Sequence, residues 1–250
     1  MPKKRFVKAI VLTLIICFAL GIGAFLRSRS GAIIPNASAA GTYPVQGVDV
    51  SSYQGKIDWA VLADQNLQFA FIKATEGSSA VDPCFRTNYQ AAKDTDLRIG
   101  AYHFFSYDSA GKTQAENFIS VVPADDTLLP PVVDVEFYGN YAWYPPERET
   151  VRRELDVLLA LLEAHYGKQP ILYATEHAYR LFLSEGYSDY DIWIRDVFFQ
   201  PSLSDGRDWT FWQYTDRAVL DGYAGDERFI DRNVFYGSQE VFDRYARTKK

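Results

Sequence analysis

From residue 45 onward, short apolar runs of strand length alternate with longer stretches in which apolar residues recur at helical spacing. That alternation restricts the chain to βα units built around a mostly parallel sheet. Strands are expected at 45–50, 69–74, 99–105, 132–136, 171–174, 191–194, 210–214 and 229–235. Helices are expected around Trp59, Val61 and Leu62, around Phe85, Tyr89 and Ala92, around Ala115, Phe118 and Val122, and around Ala178, Leu181 and Phe182. The longest should start near Pro146, carry Val151, Leu155, Leu158 and Leu162 on one face, and stop at Gly167. A closing helix is expected at 241–245. Eight strands with about five clear helices predict an α/β fold, an irregular (β/α)8-type barrel. An open doubly wound sheet alternates in the same way, but no glycine-rich phosphate loop follows any strand.

The first 42 residues are of another kind. Lys3, Lys4, Arg5 and Lys8 precede an uncharged apolar run at 9–26, long enough to cross a bilayer at the helical rise of about 1.5 Å per residue. More positive charge before the run than after it, where only Arg27 and Arg29 follow closely, predicts a cytoplasmic N-terminus and an extracytoplasmic remainder. The expected organisation is a basic cytoplasmic tail at 1–8, a transmembrane signal anchor at 9–26, a linker at 27–42 and one catalytic domain at 43–250. Ala37-Ser38-Ala39 resembles a cleavage site but lies far beyond the apolar run, so secretion after cleavage is the alternative.

Those six early charges are all basic, which leaves 20 basic against 32 acidic residues beyond them, a net −12. A domain so acidic has no electrostatic footprint for nucleic acid. Cys17 lies in the apolar run and Cys84 in the folded part, so no disulfide is expected, and the three histidines lack zinc-site spacing. Neither a metal nor another cofactor is expected, and the protein is expected to act as a monomer.

In a parallel barrel the working residues sit at the C-terminal ends of strands. Here those ends are polar: Asp49, then Glu76, then His103, then Asp134 with Glu136, then Tyr173, and later Gln213 with Tyr214 and Asp231 with Asn233. Asp134 and Glu136, two apart on a strand, leave the same face with attachment points about 6–7 Å apart. Carboxylates that close push each other's pKa apart, so that one holds a proton beside a charged neighbour, as glycoside hydrolysis requires. The apolar approach Pro130-Pro131-Val132-Val133 is too buried for idle charges. Asp49 and Asp231 read equally as structural partners, and His103 reads more readily as a hydrogen-bonded core histidine than as a catalyst. Tyr138, Tyr141, Trp143 and Tyr144 crowd the loop after Glu136, where sugar rings would stack.

The motifs Gly47-Val48-Asp49-Val50-Ser51-Ser52-Tyr53-Gln54-Gly55, Phe71-Ile72-Lys73-Ala74-Thr75-Glu76-Gly77, Gly100-Ala101-Tyr102-His103-Phe104, Asp134-Val135-Glu136, Trp212-Gln213-Tyr214 and Ile230-Asp231-Arg232-Asn233 resemble glycoside hydrolase family 25. These are lysozymes acting as N-acetylmuramidases, and the resemblance runs in order over nearly all of 45–236. It implies cleavage of the β-1,4 bond from N-acetylmuramic acid to N-acetylglucosamine in peptidoglycan. It also implies Glu136 as general acid/base, Asp134 as nucleophile or as the residue that orients the substrate acetamido group, and Asp49 and Asp231 as completing the acidic set. Glu76, His103, Tyr138, Tyr173, Trp193, Gln213, Tyr214 and Asn233 are the expected substrate contacts. One departure is Arg195-Asp196 after Trp193-Ile194, where the family often has a small residue; it is expected to narrow or recharge the groove. A family 18 chitinase is disfavoured because Val132 stands where that motif needs an Asp. A non-catalytic glycan-binding barrel would be expected to have lost an acidic residue, and none is missing.

Overall fold

The computed structural model describes Phe18 and residues 34–246. The expected membrane span at 9–26 lies outside the described residues, Phe18 excepted, and no helix among those described is long and apolar enough to cross a membrane.

The strands are β1 (Gln46–Val50), β2 (Phe69–Glu76), β3 (Ala80–Val81), β4 (Arg98–Phe104), β5 (Val132–Val135), β6 (Ile171–Thr175), β7 (Ile192–Arg195), β8 (Phe211–Ala218) and β9 (Ile230–Phe235). They pair in the order β1-β9-β8-β7-β6-β5-β4-β2, and a β1–β2 pairing closes the ring; β3 is a two-residue ribbon hung on β2. The barrel thus has the expected eight staves, with one correction. β9 runs antiparallel to both of its neighbours, placing Asp231 directly opposite Asp49. Asp231 therefore begins a descending strand instead of ending a rising one.

The helices are α1 (Trp59–Ala63), α2 (Phe85–Lys93), α3 (Gly111–Val121), α4 (Arg148–Tyr166) and α5 (Gln239–Arg244). α4 starts where the Glu147 carboxylate accepts from the backbone N–H groups of Glu149 and Thr150, and ends at Gly167 with φ 63°. Its apolar face, Val151, Leu155, Leu158 and Leu162, is buried as the spacing predicts. The helix expected around Ala178 is a single turn, Glu176–Ala178, running into a π-helical turn, Tyr179–Leu183.

Strand alternation divides the interior in two. One set of side chains, among them Val48, Ala70, Ala101, Val133, Leu172 and Ile194, packs outward under the helices. The other, among them Phe69, Phe71, Val132, Ile171, Trp193 and Phe211, fills the barrel. Phe69 and Phe71 take the space that side chains at Gly47 and Gly100 would need: a Cβ built there meets the rings at 2.3 and 2.4 Å. This aromatic plug is the floor on which the site rests.

Residues 34–42, placed by the sequence in a free tether, are docked. Asn36 donates through Nδ2 to the carbonyls of Asp196 and Tyr214, and Ala39 is buried in a helical turn, Ala39–Thr42.

Candidate active site

Above the aromatic plug, at the C-terminal ends of the parallel strands, lies a cavity of about 590 Å³. Asp49, Asp134, Glu136 and Asp231 all line it, together with Lys73, Tyr102, Tyr173, Trp193, Arg195, Gln213 and Asp216. Each stave contributes the residue whose turn it is to point inward.

Asp49 is held by groups from two strands. Its Oδ2 accepts from Asn233 Nδ2 at 2.7 Å and from Gln213 Nε2 at 3.0 Å. Gln213 is oriented by the Tyr173 hydroxyl, which donates to Oε1 at 2.9 Å, and Asn233 by Trp193 Nε1, which donates to Oδ1 at 2.8 Å. Amides set in this way can present only N–H groups to Asp49, which fixes its rotamer and favours its carboxylate. Burial nevertheless raises the Asp49 pKa. Asp231 is raised well above the carboxylate range, first by burial and then by the Asp49 charge.

Asp134 is likewise raised well above its ordinary value by burial, with the Glu136 charge adding to the effect. Burial raises Glu136 too, opposed by the positive charges of Arg195 and Lys73. The pair therefore keeps a proton at a pH where isolated carboxylates in water have lost theirs. Asp134 Oδ1 is buried and, among the described residues, has no hydrogen-bond partner. Such an acceptor is costly unless something arrives to fill it.

A family model for Glycosyl hydrolases family 25 matches residues 48–223. The chain belongs to that family. Within it, the chain is 36% identical over 210 residues to the uncharacterized protein YegX of Escherichia coli (strain K12), covering 82% of this chain and 74% of YegX. It is 32% identical over 209 residues to Lysozyme M1 of Streptomyces globisporus, covering 80% of this chain and 70% of that one. Among solved structures it is similar to a family 25 glycosyl hydrolase from Bacillus anthracis, at 57% identity and a TM-score of 0.79 over 82% of this chain and 94% of that chain. A bacterial lysozyme from Streptomyces coelicolor follows at 31% identity and a TM-score of 0.71, over 80% of this chain and 95% of that chain. This family 25 member is a glycoside hydrolase of the lysozyme kind.

Several residues expected at the substrate surface of the family 25 site lie elsewhere. His103 points outward from β4: Nδ1 meets Thr75 Oγ1 at 2.7 Å, Nε2 meets Gln114 Oε1 at 3.1 Å, and burial lowers its pKa to about 4. Tyr102 and Phe104, one residue to either side, line the cavity in its place. Tyr214 faces outward for the same reason, its hydroxyl toward Gln46. Asn233 is wholly buried beneath Asp49 and does not line the cavity. Glu76 is turned to the rim, where it holds the Lys73 ammonium at 2.7 Å. Tyr138 stacks on Tyr107, and its hydroxyl donates to Asp108 at 3.0 Å, outside the cavity lining. Tyr173, Trp193 and Gln213 do line it. Of the Arg195-Asp196 departure, only Arg195 enters; Asp196 turns back to accept from the backbone of Phe198 and Phe199.

Proposed function

We propose that this enzyme hydrolyses the β-1,4 bond between N-acetylmuramic acid and N-acetylglucosamine in peptidoglycan with net retention, Glu136 serving first as acid and then as base. The observation that carries the reading is the unpartnered Oδ1 of Asp134, two residues from Glu136 in a sugar-sized cavity. An acetamido N–H is the donor it lacks. Receiving that N–H favours the charged form of Asp134 and shifts the shared proton to Glu136, where the chemistry needs it. The acetamido oxygen then closes onto the anomeric carbon while the glycosidic C–O bond breaks, and Glu136 gives its proton to the departing oxygen. Asp134 steadies the positive charge of the cyclised sugar. Water attacks the same carbon, Glu136 takes its proton, and the ring reopens. Two displacements leave the anomeric configuration unchanged. Asp134 and Glu136 project from one face of the strand, which makes backside attack by Asp134 itself awkward.

The test is the anomeric configuration of the first product, followed by NMR, combined with inhibition by a thiazoline analogue of the cyclised sugar. Retention and tight inhibition are expected. An inverted product excludes any double displacement, and a glycosyl ester trapped on Asp134 excludes the acetamido route.

The apolar run at 9–26 supports a second element of the reading, in which the domain is held outside the cytoplasmic membrane by an uncleaved anchor. The docking of Asn36 and Ala39 on the barrel supports it further, because cleavage after Ala39 would strip two anchoring hydrogen bonds from the domain. Protease added to intact spheroplasts should remove the domain; a soluble mature protein beginning at Ala40 would exclude the anchor.

A further inference from the structure

Arg195 is the one cavity-lining side chain that the sequence marks as a departure, and its geometry gives it a task. It ends β7, in register with Thr175 on β6 and Gln213 on β8. Its Nη2 donates to Asp216 Oδ2 at 2.8 Å, and the other oxygen of Asp216 lies 3.5 Å from Arg217 Nε. Asp216 is thus tied on both sides and holds the guanidinium in one place, with only one of its five N–H donors engaged among the bonds described. Arg195 and Glu136 line the same cavity.

We propose that Arg195, clamped by Asp216, is a positioning residue that acts through Glu136, stabilising the carboxylate left when Glu136 has given up its proton. The inference rests on Glu136 being the acid, as argued above. Glu136 is faced by Asp134 on β5, Asp49 on β1, Lys73 on β2, Tyr107 after β4, Tyr173 on β6 and Arg195 on β7. Burial disfavours a charge on Glu136 most, and the Asp49 carboxylate adds to it. Lys73 cannot offset them alone, because its ammonium is also claimed by Glu76 at the rim. At Glu136 Arg195 opposes them more than Lys73 does, whereas at Asp134 the main opposing charge is Lys73. It therefore discriminates between the two members of the pair. With Arg195 present, giving up the proton leaves a stabilised anion. Without it, Glu136 holds its proton to higher pH and donates it less readily.

The alkaline limb of the pH profile of kcat/KM reports the acid of the free enzyme, so the experiment is that profile. It is measured on soluble glycan fragments of peptidoglycan with the full chain in detergent, for the parent, R195Q, R195K, D216N and E136Q. R195Q is expected to move the limb to higher pH and lower turnover at the optimum. R195K should leave the limb near its original place, and D216N, which frees the guanidinium, should move it less than R195Q. R195M repeats the test if R195Q fails to fold. A limb unmoved in a folded, uncharged variant, or equal loss at every pH, overturns the role of Arg195. A limb that persists in the residual activity of E136Q overturns the assignment of Glu136 itself, and the proposal with it.

Discussion

Glu136 and Asp134 have the same functional group, Asp134 within β5 and Glu136 immediately after it, so any difference in role must come from what surrounds each. Asp134 is the more deeply buried and, among the described residues, lacks a partner for Oδ1, whereas Glu136 lies within the influence of Arg195. An amide N–H from substrate is the missing piece that would separate the two carboxylates into one charged and one protonated. Glutamine at 136 keeps the size and the hydrogen bonding but has no proton to give. E136Q is expected to retain the fold and glycan binding while turnover falls about 10²- to 10⁴-fold, the usual worth of general acid catalysis. Thermal unfolding, glycan pull-down and reducing-end release check the three parts, and near-parental turnover in a folded variant removes Glu136 from the mechanism. The acidic residues themselves were legible in the sequence, being carboxylates at strand ends with apolar approaches. Arg195 stood out as a departure. Asp216 did not, because the apolar pattern of its strand stops at Tyr214 while the ladder continues to Ala218 through polar residues.

Strand β4 shows what periodicity fixes and what it leaves open. The run at Gly100-Ala101-Tyr102-His103-Phe104 specifies a strand, and period two divides it into Gly100, Tyr102 and Phe104 on one face and Ala101 and His103 on the other. Gly100 must face the barrel because the Phe71 ring occupies the space of its missing side chain, so His103 must face the helices. Strand alternation alone could have made that assignment, and it agrees with reading His103 as a hydrogen-bonded core histidine instead of the substrate contact that the family resemblance implied. The direction of β9 was not legible, since alternation reads the same from either end. His103 serves instead to pin β4 to β2 and α3 through Thr75 and Gln114. It does so as the neutral ring, with a folded pKa of about 4 against about 6.5 when unfolded. Its contribution is therefore present above about pH 6.5 and is lost as pH falls toward 4, on the order of 3 kcal/mol across that window. H103Q should be less stable than the parent at pH 7.5, and the gap should narrow by pH 4.5. Urea unfolding at both values measures it, and a gap of constant size would mean that His103 does not titrate on unfolding.

The molecule as a whole is arranged to place four carboxylates over an apolar floor. Phe69, Phe71, Trp193 and Phe211 exclude water from below, the closed ring of strands excludes it from the sides, and the Asp49 charge raises the pKa of Asp134, Glu136 and Asp231 alike. Such a site works against stability. Asp231 illustrates the conflict most directly. It faces Asp49 across the β1–β9 ladder, and burial and the Asp49 charge raise its pKa well above the usual range. A raised folded pKa means that the native state binds more protons than the unfolded chain. The stability this gives under acid conditions is lost as pH rises from the unfolded value near 4 through the folded one. Asparagine at 231 can still offer an N–H to Asp49 and carries no charge at any pH. D231N is expected to unfold at a higher temperature than the parent at pH 8, by about 2–4 °C for each kcal/mol recovered in a domain of this size. The difference should shrink toward pH 4. Activity should fall in the same variant, because Asp231 lines the acidic end of the cavity beside Asp49. Scanning calorimetry at pH 4, 6 and 8, beside reducing-end release, separates the two effects. A variant no more stable than the parent at pH 8 would show that Asp231 is satisfied in the resting enzyme, and that the cost of the acidic site falls on Asp49, Asp134 and Glu136.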